Sequence, residues 1–590
     1  MTTAQISIFI ILAATMSLFI WNHWRYDIVA GLALMASVYT GIVPVDHAFE
    51  GFSHPAVITV ACVLVISQAL QSSGVVGFFL SYLALFRRKA RTQLAANCIT
   101  TSILSAFMNN IGALALMLPI TVRDARKAKR AASTLLMPLS FASLLGGLVT
   151  LIGTPPNIII ASVRADHSGE PFSMFDFTPV GLAVAISGIS FLVIASKYLL
   201  PKHEQQDNGE QSRIARYLTE VLIPPTSQLV GQTVGSLETM CENEASVMAI
   251  VRNNGRRLAP GTNEAIQPND VLILHGDSEA LQPLFEDTSL VHAGAELTDP
   301  DWLKSPDVIV IEAVVMPNSM IEGFASRSID IHKRFAVNLL AIAREDHPTV
   351  ARLKNVRFKT GDVLLLQGEK QALEQFCANL GCLAIKNRGM EITPKRAALT
   401  TPFVFALGIL ATAFGLLPVQ IAFATVVGAL VLLKAVSLRE AYRSIEWPVI
   451  VLLGFLIPVG EALQTTGATA LIAEALVSIA EDIPLWVLLT LILVTSMGLS
   501  DLVHNTPTAI LMAPIALSLA DTLSMSADPL LMAVAIGAAS PYLTPVGHQS
   551  NTLVLGPGSY QFSDYWRLGL PLDMVIIACL LYTSPSPRDS

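Results

Sequence analysis

Four short segments place glycine, proline and polar residues inside otherwise apolar stretches, and these segments could bind a ligand. They are residues 108–112, 153–157, 503–508 and 544–552. The adjacent Pro155 and Pro156 forbid a continuous helix, because proline lacks an amide hydrogen and clashes with the preceding turn. A broken helix exposes amide hydrogens that suit an anion at one end and carbonyls that suit a small cation at the other. We therefore expect ion binding at these breaks. We do not expect an enzyme, since no nucleophile–base set stands out.

The sequence around these segments is apolar enough to place them inside a membrane. Of 590 residues, 53% are hydrophobic and 14% are charged, whereas a typical soluble domain has about 25% charged residues. Apolar runs of about 16 to 25 residues recur, near the length that spans a bilayer core. Non-helical backbone is tolerated at that depth only where it lines a buried or water-filled site. The sequence predicts an α-helical polytopic membrane protein with broken helices around a midplane site.

Composition and the chain ends narrow the function further. A net charge of −8 gives no reason to expect a nucleic acid polymer as a partner, and six scattered cysteines show neither metal spacing nor a disulfide framework. Residues 6–21 are followed by an aromatic and basic segment without a cleavage site, which predicts a retained helix. We expect residues 583–590 to be an artefactual tail, and the apolar run 570–582 to be too short to span comfortably.

A less apolar region divides the chain. Between residues 203 and 395 charge rises, and apolar runs shorten to strand length, as at 271–274 and 363–366 after Asn-Asp and Gly-Asp turns. We predict a soluble α+β insert between a first membrane half, 1–202, and a second, 396–582.

The insert is itself a tandem repeat with a period of 92 residues. It contains no Gly-x-Gly-x-x-Gly fingerprint for a dinucleotide. The pattern resembles the C-terminal domain of potassium-channel and Trk-type regulatory modules (RCK/TrkA), with copies at 203–298 and 299–395. That resemblance implies a dimerising or ligand-sensing module, with a small nucleotide-like ligand as one expectation and a purely structural role as another. The recurring residues are Pro225, Ser227, Gly231, Arg252, Asp270 and Gly276, which return as Pro317, Ser319, Gly323, Arg344, Asp362 and Gly368.

The two membrane halves also repeat, with offsets of 393 to 395 residues. Duplicated halves are typical of secondary transporters. Basic clusters at 87–91 and 123–130 flank the segment 93–121, and Lys and Arg favour the cytoplasmic side. A re-entrant hairpin puts both clusters inside, whereas a single span would not.

The flanks of the matching hairpin, 474–484 and 520–529, carry acids without Lys or Arg, so this hairpin should enter from outside. We therefore predict inverted halves in the inner (plasma) membrane and a cytoplasmic insert. An ordinary row of spanning helices is the alternative.

The two hairpins and two breaks resemble those of the divalent anion/sodium symporter family. Aligned on Met-Leu-Pro and Met-Ala-Pro, the hairpin tips read 109–111 and 504–506, and a serine lies upstream of each. The resemblance implies a homodimer in the lipid bilayer and two sodium sites as the coupling-ion sites, with no organic cofactor. The first sodium site would use Ser105, Asn109, Asn110 and Gly153, and the second would use Ser500, Asn505 and Gly547. Together with the titratable ring at the second tip, it predicts these substrate-binding residues: Asn110, Thr154, Pro155, Asn157, His504, Asn505, Thr506, Ser550 and Asn551.

Departures from the family pattern bear on the substrate. Asn109 and Ile111 remove hydroxyls from the first tip, and His504 adds an imidazole to the second. We predict sodium-coupled import of a small divalent anion by alternating access, with sulfate favoured over a dicarboxylate. One alternative is a proton- or potential-driven exporter of anions or metalloids, with His504 and Asp501 as the titrating pair. The other is a membrane sensor that signals through its soluble repeats.

Overall fold

A computed structural model places the helices of both predicted halves. It describes residues 1–21, 23–73, 90–128, 130–200, 218–240, 246–252, 255–258, 261, 263–275, 291–292, 308–317, 319–329, 331–335, 337–344, 347–348, 356–385, 395–479 and 484–583. The basic residues 87–89, the linker 203–217, Gly276 and the tail residues 584–590 lie outside the described part.

The first half is helical throughout its described residues, apart from short turns. Its two broken places fall where the sequence predicted them, between α4 and α5 and before α7. Proline opens α3 and α7, where its missing amide hydrogen costs no helical bond. The helices are α1 (Thr3–Trp21), α2 (Tyr26–Tyr39), α3 (Pro55–Ser72), α4 (Ala90–Phe107), α5 (Asn110–Lys127), α6 (Ser133–Gly147), α7 (Pro155–Ser168) and α8 (Thr178–Leu199).

Two antiparallel sheets with the same strand order form the described part of the insert, β3-β2-β4-β1-β5 and β8-β7-β9-β6-β10. Each sheet has an irregularity at the same repeat position, 247/249 and 339/341. The elements are β1 (Leu218–Leu222), α9 (Val234–Met240), β2 (Ser246–Arg252), β3 (Gly255–Leu258), β4 (Val271–His275), β5 (Val291–His292), β6 (Val308–Val315), α10 (Ser326–Ile329), α11 (Ile331–Phe335), β7 (Val337–Arg344), β8 (His347–Pro348), β9 (Val363–Glu369), α12 (Lys370–Leu380) and β10 (Cys382–Ala384).

One buried ion pair recurs in both sheets. Arg252 Nη2 lies 2.7 Å from the fully buried carboxylate of Asp270, and Arg344 repeats this distance to Asp362. The hydrogen bond that Arg252 donates to Asp270 raises the pKa of Arg252. The 92-residue repeat is therefore a repeat of structure as well as of sequence.

The second half repeats the helix pattern of the first. Its helices are α13 (Lys395–Ala413), α14 (Val419–Leu432), α15 (Leu438–Ser444), α16 (Trp447–Thr465), α17 (Ala468–Ile479), α18 (Leu485–Val503), α19 (Asn505–Thr522), α20 (Asp528–Ala538), α21 (Gln549–Leu555) and α22 (Tyr565–Thr583). Across the halves, α7 packs on α19 and α21 packs on α5, so each broken helix lies against the hairpin of the other half.

The predicted polytopic helical class with a sheet-containing insert is confirmed. In the described part, six helical segments are long and apolar enough to cross a membrane. One sequence expectation was wrong, namely that the last apolar run is too short. The helix begins at Tyr565, five residues before that run, and Pro571 is accommodated inside it. The six segments are Thr3–Trp21, Val45–Ser72, Thr178–Leu199, Trp447–Thr465, Leu485–Val503 and Phe562–Thr583.

Candidate ion-binding site

The tip of the first hairpin is fixed from both sides by Asn109. Its backbone amide donates to Ser67 Oγ of α3 at 3.3 Å, and its side-chain oxygen accepts the Ile111 amide at 3.3 Å, which caps the start of α5. The side-chain nitrogen donates to Glu446 Oε1 at 3.1 Å. Because Glu446 precedes α16, this contact joins the two membrane halves.

Three oxygen atoms surround the side-chain amide of Asn110. They are Ser105 Oγ at 2.7 Å and the carbonyl oxygens of Ser143 and Gly153 at 3.2 and 3.3 Å, and all three accept hydrogen bonds when the amide nitrogen faces them. Hydroxyl and carbonyl oxygens of this kind are also ligands for a small cation. Gly147 leaves room for this arrangement, since a Cβ there would lie 2.5 Å from Asn110 Oδ1.

The second hairpin repeats this cluster 395 residues later in the sequence. Ser500 Oγ lies 3.0 Å from Asn505 Oδ1 and 2.6 Å from the carbonyl oxygen of Ala538, which corresponds to Ser143. A hydroxyl has one proton and can donate it to only one of these acceptors. Gly547 lies beside it, because a Cβ there would be 3.2 Å from the Ser500 carbonyl oxygen.

Matched asparagines hold the two broken segments. Asn157 Nδ2 donates to the Thr150 carbonyl at 2.9 Å, and Asn551 Nδ2 donates to the Thr544 carbonyl at 3.2 Å. Asn551 Oδ1 also accepts from Ser140 Oγ at 2.8 Å. These side chains satisfy the non-helical backbone before α7 and α21. The substrate role predicted for Asn157 and Asn551 remains a prediction, but in this state both side chains brace the backbone.

A cavity of about 100 Å³ lies between the two hairpin tips. One water needs about 10–15 Å³ of cavity volume, so a small polyatomic ion or several waters would fit. Of the predicted residues it includes Asn109, Gly153, Pro155, His504, Asn505, Thr506 and Gly547. The predicted residues outside its lining are Ser105, Asn110, Thr154, Asn157, Ser500, Ser550 and Asn551.

Three polar atoms of the lining residues are buried without a hydrogen-bond partner among the described residues. They are the hydroxyl of Tyr26, the side-chain nitrogen of Asn505 and the side-chain oxygen of Gln549. The first two are hydrogen-bond donors, and the third is an acceptor. The Tyr26 ring meets His504 edge-on at 5.7 Å between centroids. His504 has φ +111° and ψ 157°, a region that residues other than glycine rarely adopt and that is often found at functional sites.

Asp501 does not form the predicted pair with His504 in this state. Its Oδ1 accepts the backbone amide of Leu543 at 2.9 Å, and its own carbonyl accepts from Thr544 Oγ1 at 2.9 Å. One oxygen of the Asp501 carboxylate thus supports the second break, whereas Oδ2 is buried without a partner among the described residues. The exporter alternative stays a prediction.

Sequence reasoning missed four polar residues of the lining, Tyr26, Glu446, His548 and Gln549. His548 and Gln549 belong to a predicted break, so their position in that segment was a usable signal. Glu446 lies two residues before Pro448, where the repeated segment begins. A carboxylate before an apolar run normally marks the end of a membrane helix that faces water. Tyr26 carried no local signal, since it opens a short apolar helix far from either hairpin in sequence.

Comparisons with known proteins match this chain to transporters. The profile of the CitMHS family, described as citrate transporter, matches residues 16–537. An uncharacterized transporter of Synechocystis, sll0640, is 29% identical over 95% of this chain and 93% of its own. The uncharacterized transporter YfbS of Escherichia coli is 28% identical over 98% of both chains. A protein of Chlamydomonas reinhardtii named sodium/sulfate cotransporter 2 is 26% identical over 57% of this chain and 40% of its own.

Proposed function

Because this chain belongs to the CitMHS citrate transporter family, we propose that it is a secondary active transporter that couples sodium to the import of a small divalent anion. Sulfate is the favoured substrate, with a dicarboxylate second. One observation carries the proposal: a cavity among the described residues is lined by both hairpin tips.

The anion would bind in the cavity through neutral donors. Asn505 Nδ2 and the Tyr26 hydroxyl are buried and unpartnered among the described residues, and Thr506 adds another hydroxyl. None of the described lining residues is Lys or Arg. Hydrogen bonds to a charged group are stronger than bonds between neutral groups. A sulfate would therefore satisfy donors that the protein itself leaves open.

Sodium would bind at the two oxygen clusters. Hydroxyl and carbonyl oxygens of unwound helices are the ligands that transporters use for this ion. Ser105, Asn110 and Gly153 would form one such site, since Ser105 Oγ and the Gly153 carbonyl oxygen lie 2.7 and 3.3 Å from one atom of the Asn110 side-chain amide. Asn109 was predicted to join them, but its side chain is engaged by Ile111 and Glu446 in this state. The name of the Chlamydomonas relative, a sodium/sulfate cotransporter, supports both ions.

The charge pattern supports a place in the inner (plasma) membrane, with the insert in the cytoplasm. The homodimer is proposed because the resemblance to the symporter family implies it. The tandem sheets would then serve as RCK-type regulatory domains with a small nucleotide-like ligand.

Uptake of labelled sulfate into proteoliposomes tests the function. We expect uptake to depend on an inward sodium gradient and to be lost in Asn505→Ala. Asn97→Ala is the matched control. Asn97 is buried and donates to Thr121 Oγ1 at 3.3 Å, and neither residue lines the cavity. This control should keep sodium-dependent uptake. Equal uptake with and without sodium would refute the coupling, and a dicarboxylate that outcompetes sulfate would refute the favoured substrate.

A further inference from the structure

The second repeat of the insert packs directly on the membrane helices. Val314 of β6 and Ile385 after β10 are buried in the same apolar cluster as the membrane helices, and Met316, Val363 and Leu383 pack against that cluster. Burial of apolar side chains is the main source of stability for such contacts. This sheet is therefore part of the transporter body in the state described here.

A close approach of backbone to backbone is made by residues 359–362, which we call the docking turn. A Cβ on Gly361 would lie 2.6 Å from the carbonyl oxygen of Thr552 in α21. From the other side, a Cβ on Gly556 would overlap the Gly361 carbonyl oxygen and lie 3.3 Å from Val363 Cγ2. Backbone therefore meets backbone here, and glycine on each side permits it.

The first repeat provides an internal comparison for the docking turn. The Gly361 amide donates to the Val315 carbonyl at 2.9 Å, and at the matching position the Asn269 amide donates to Ile223 at 2.8 Å. Both residues have positive φ, +87° for Gly361 and +62° for Asn269. Asparagine thus adopts this turn conformation in the first repeat. The backbone alone does not require glycine at 361, whereas the contact with Thr552 does.

The docking turn lies against a helix that carries part of the cavity lining. The residue before α21 is His548 and its first residue is Gln549, and both line the cavity. Thr552 lies one helical turn further on. Within the insert, Glu322 accepts from Thr360 Oγ1 at 2.5 Å, which holds the turn in the second repeat. A body that contacts α21 in this way restrains the movement of this wall of the cavity.

We infer that the docking turn is an intramolecular contact through which the insert restrains α21 and slows transport, and that its release frees the transporter. The contact extends over apolar and backbone surfaces that a change in the insert can separate. The inference rests on the proposed function for its rate measurement only, because the contact itself can be measured without a substrate.

The test uses the full chain and a pair of matched variants. Gly361→Asn introduces the residue that the first repeat has at the matching positive-φ position, but it places a Cβ against Thr552. Asn269→Gly makes the reverse change in the first repeat and is the control. Gly556→Ala disturbs the contact from the membrane side, where the backbone at 556 has an ordinary φ of −65°. Gel filtration and melting in detergent identify any variant that fails to fold.

Two measurements give the outcome. Hydrogen exchange at 549–558 should accelerate in Gly361→Asn and Gly556→Ala but not in Asn269→Gly. The maximal sodium-driven sulfate uptake should rise about fivefold or more in the same two variants, with an unchanged half-saturating concentration. Unchanged exchange would overturn the contact, and faster exchange without a faster rate would overturn the restraint. If the wild type moves no sulfate, the proposed substrate fails, and exchange still decides whether the turn is docked.

Discussion

Replacing Tyr26 by phenylalanine should weaken anion binding without weakening the fold. The Tyr26 hydroxyl lies in the cavity lining and has no hydrogen-bond partner among the described residues. A hydrogen bond to a charged ligand contributes about 1.5–3 kcal/mol. Its loss should raise the half-saturating sulfate concentration about 10- to 150-fold. Because the protein leaves the hydroxyl unpaired, its removal should keep the melting temperature or raise it.

Tyr560→Phe is the matched control for this prediction. The Tyr560 hydroxyl accepts the Met137 amide at 2.8 Å and donates to the Ser133 carbonyl, and Tyr560 does not line the cavity. Its removal should lower stability by about 1–3 kcal/mol, since two buried backbone groups lose their partner. Sulfate affinity should stay unchanged. Uptake kinetics in proteoliposomes report the loss of affinity expected for Tyr26→Phe, and melting in detergent reports the loss of stability expected for Tyr560→Phe. An unchanged half-saturating concentration in Tyr26→Phe would refute the assignment of its hydroxyl to the anion.

Three further changes test other parts of the molecule. Gly147→Ala should raise the sodium concentration needed for half-maximal uptake, because its Cβ would lie 2.5 Å from Asn110 Oδ1; an unchanged sodium dependence would count against a site there. Ser500→Ala should have the same effect by removing an oxygen from the second cluster, measured from the sodium titration of uptake. Arg252→Ala should destabilise the first sheet by about 3–5 kcal/mol, because it leaves the buried Asp270 carboxylate unpaired; protease resistance of the insert at rising temperature would reveal this, and wild-type resistance would contradict it.

Local rules predicted the helix breaks and the tandem sheets well. The junction between α4 and α5 falls at Met108 and Asn109, inside the predicted first tip, and the second tip follows from the offset of 395 residues. Pro155 opens α7, as its missing amide hydrogen requires. The strands after Asp270 and Asp362 begin at the next residue. In each case the decisive signal lay within a few residues of the feature.

Features that depend on packing between distant segments could not be predicted from the sequence. Tyr26 joins the cavity because α2 packs along α16 and so brings its first residue against His504. Asn551 has the residue type of an anion ligand, but here its amide binds the surrounding backbone carbonyls. The start of α22 at Tyr565 was missed because Arg567 and Pro571 interrupt the apolar run. A sequence shows which donors are present, and the fold decides what they face.

The charges around the cavity bear on the proposed coupling of an anion to sodium. The described lining residues include Glu446 and neither Lys nor Arg. An ionised Glu446 would repel a dianion about 6 Å away by about 5.5 kcal/mol at an effective dielectric constant of about 20. Neutral donors such as Asn505 and Tyr26 orient an anion, but they do not supply a net positive charge. In the proposed mechanism, cations bound at the oxygen clusters around Asn110 and Ser500 would supply that charge, so the proposal predicts weaker anion binding without sodium.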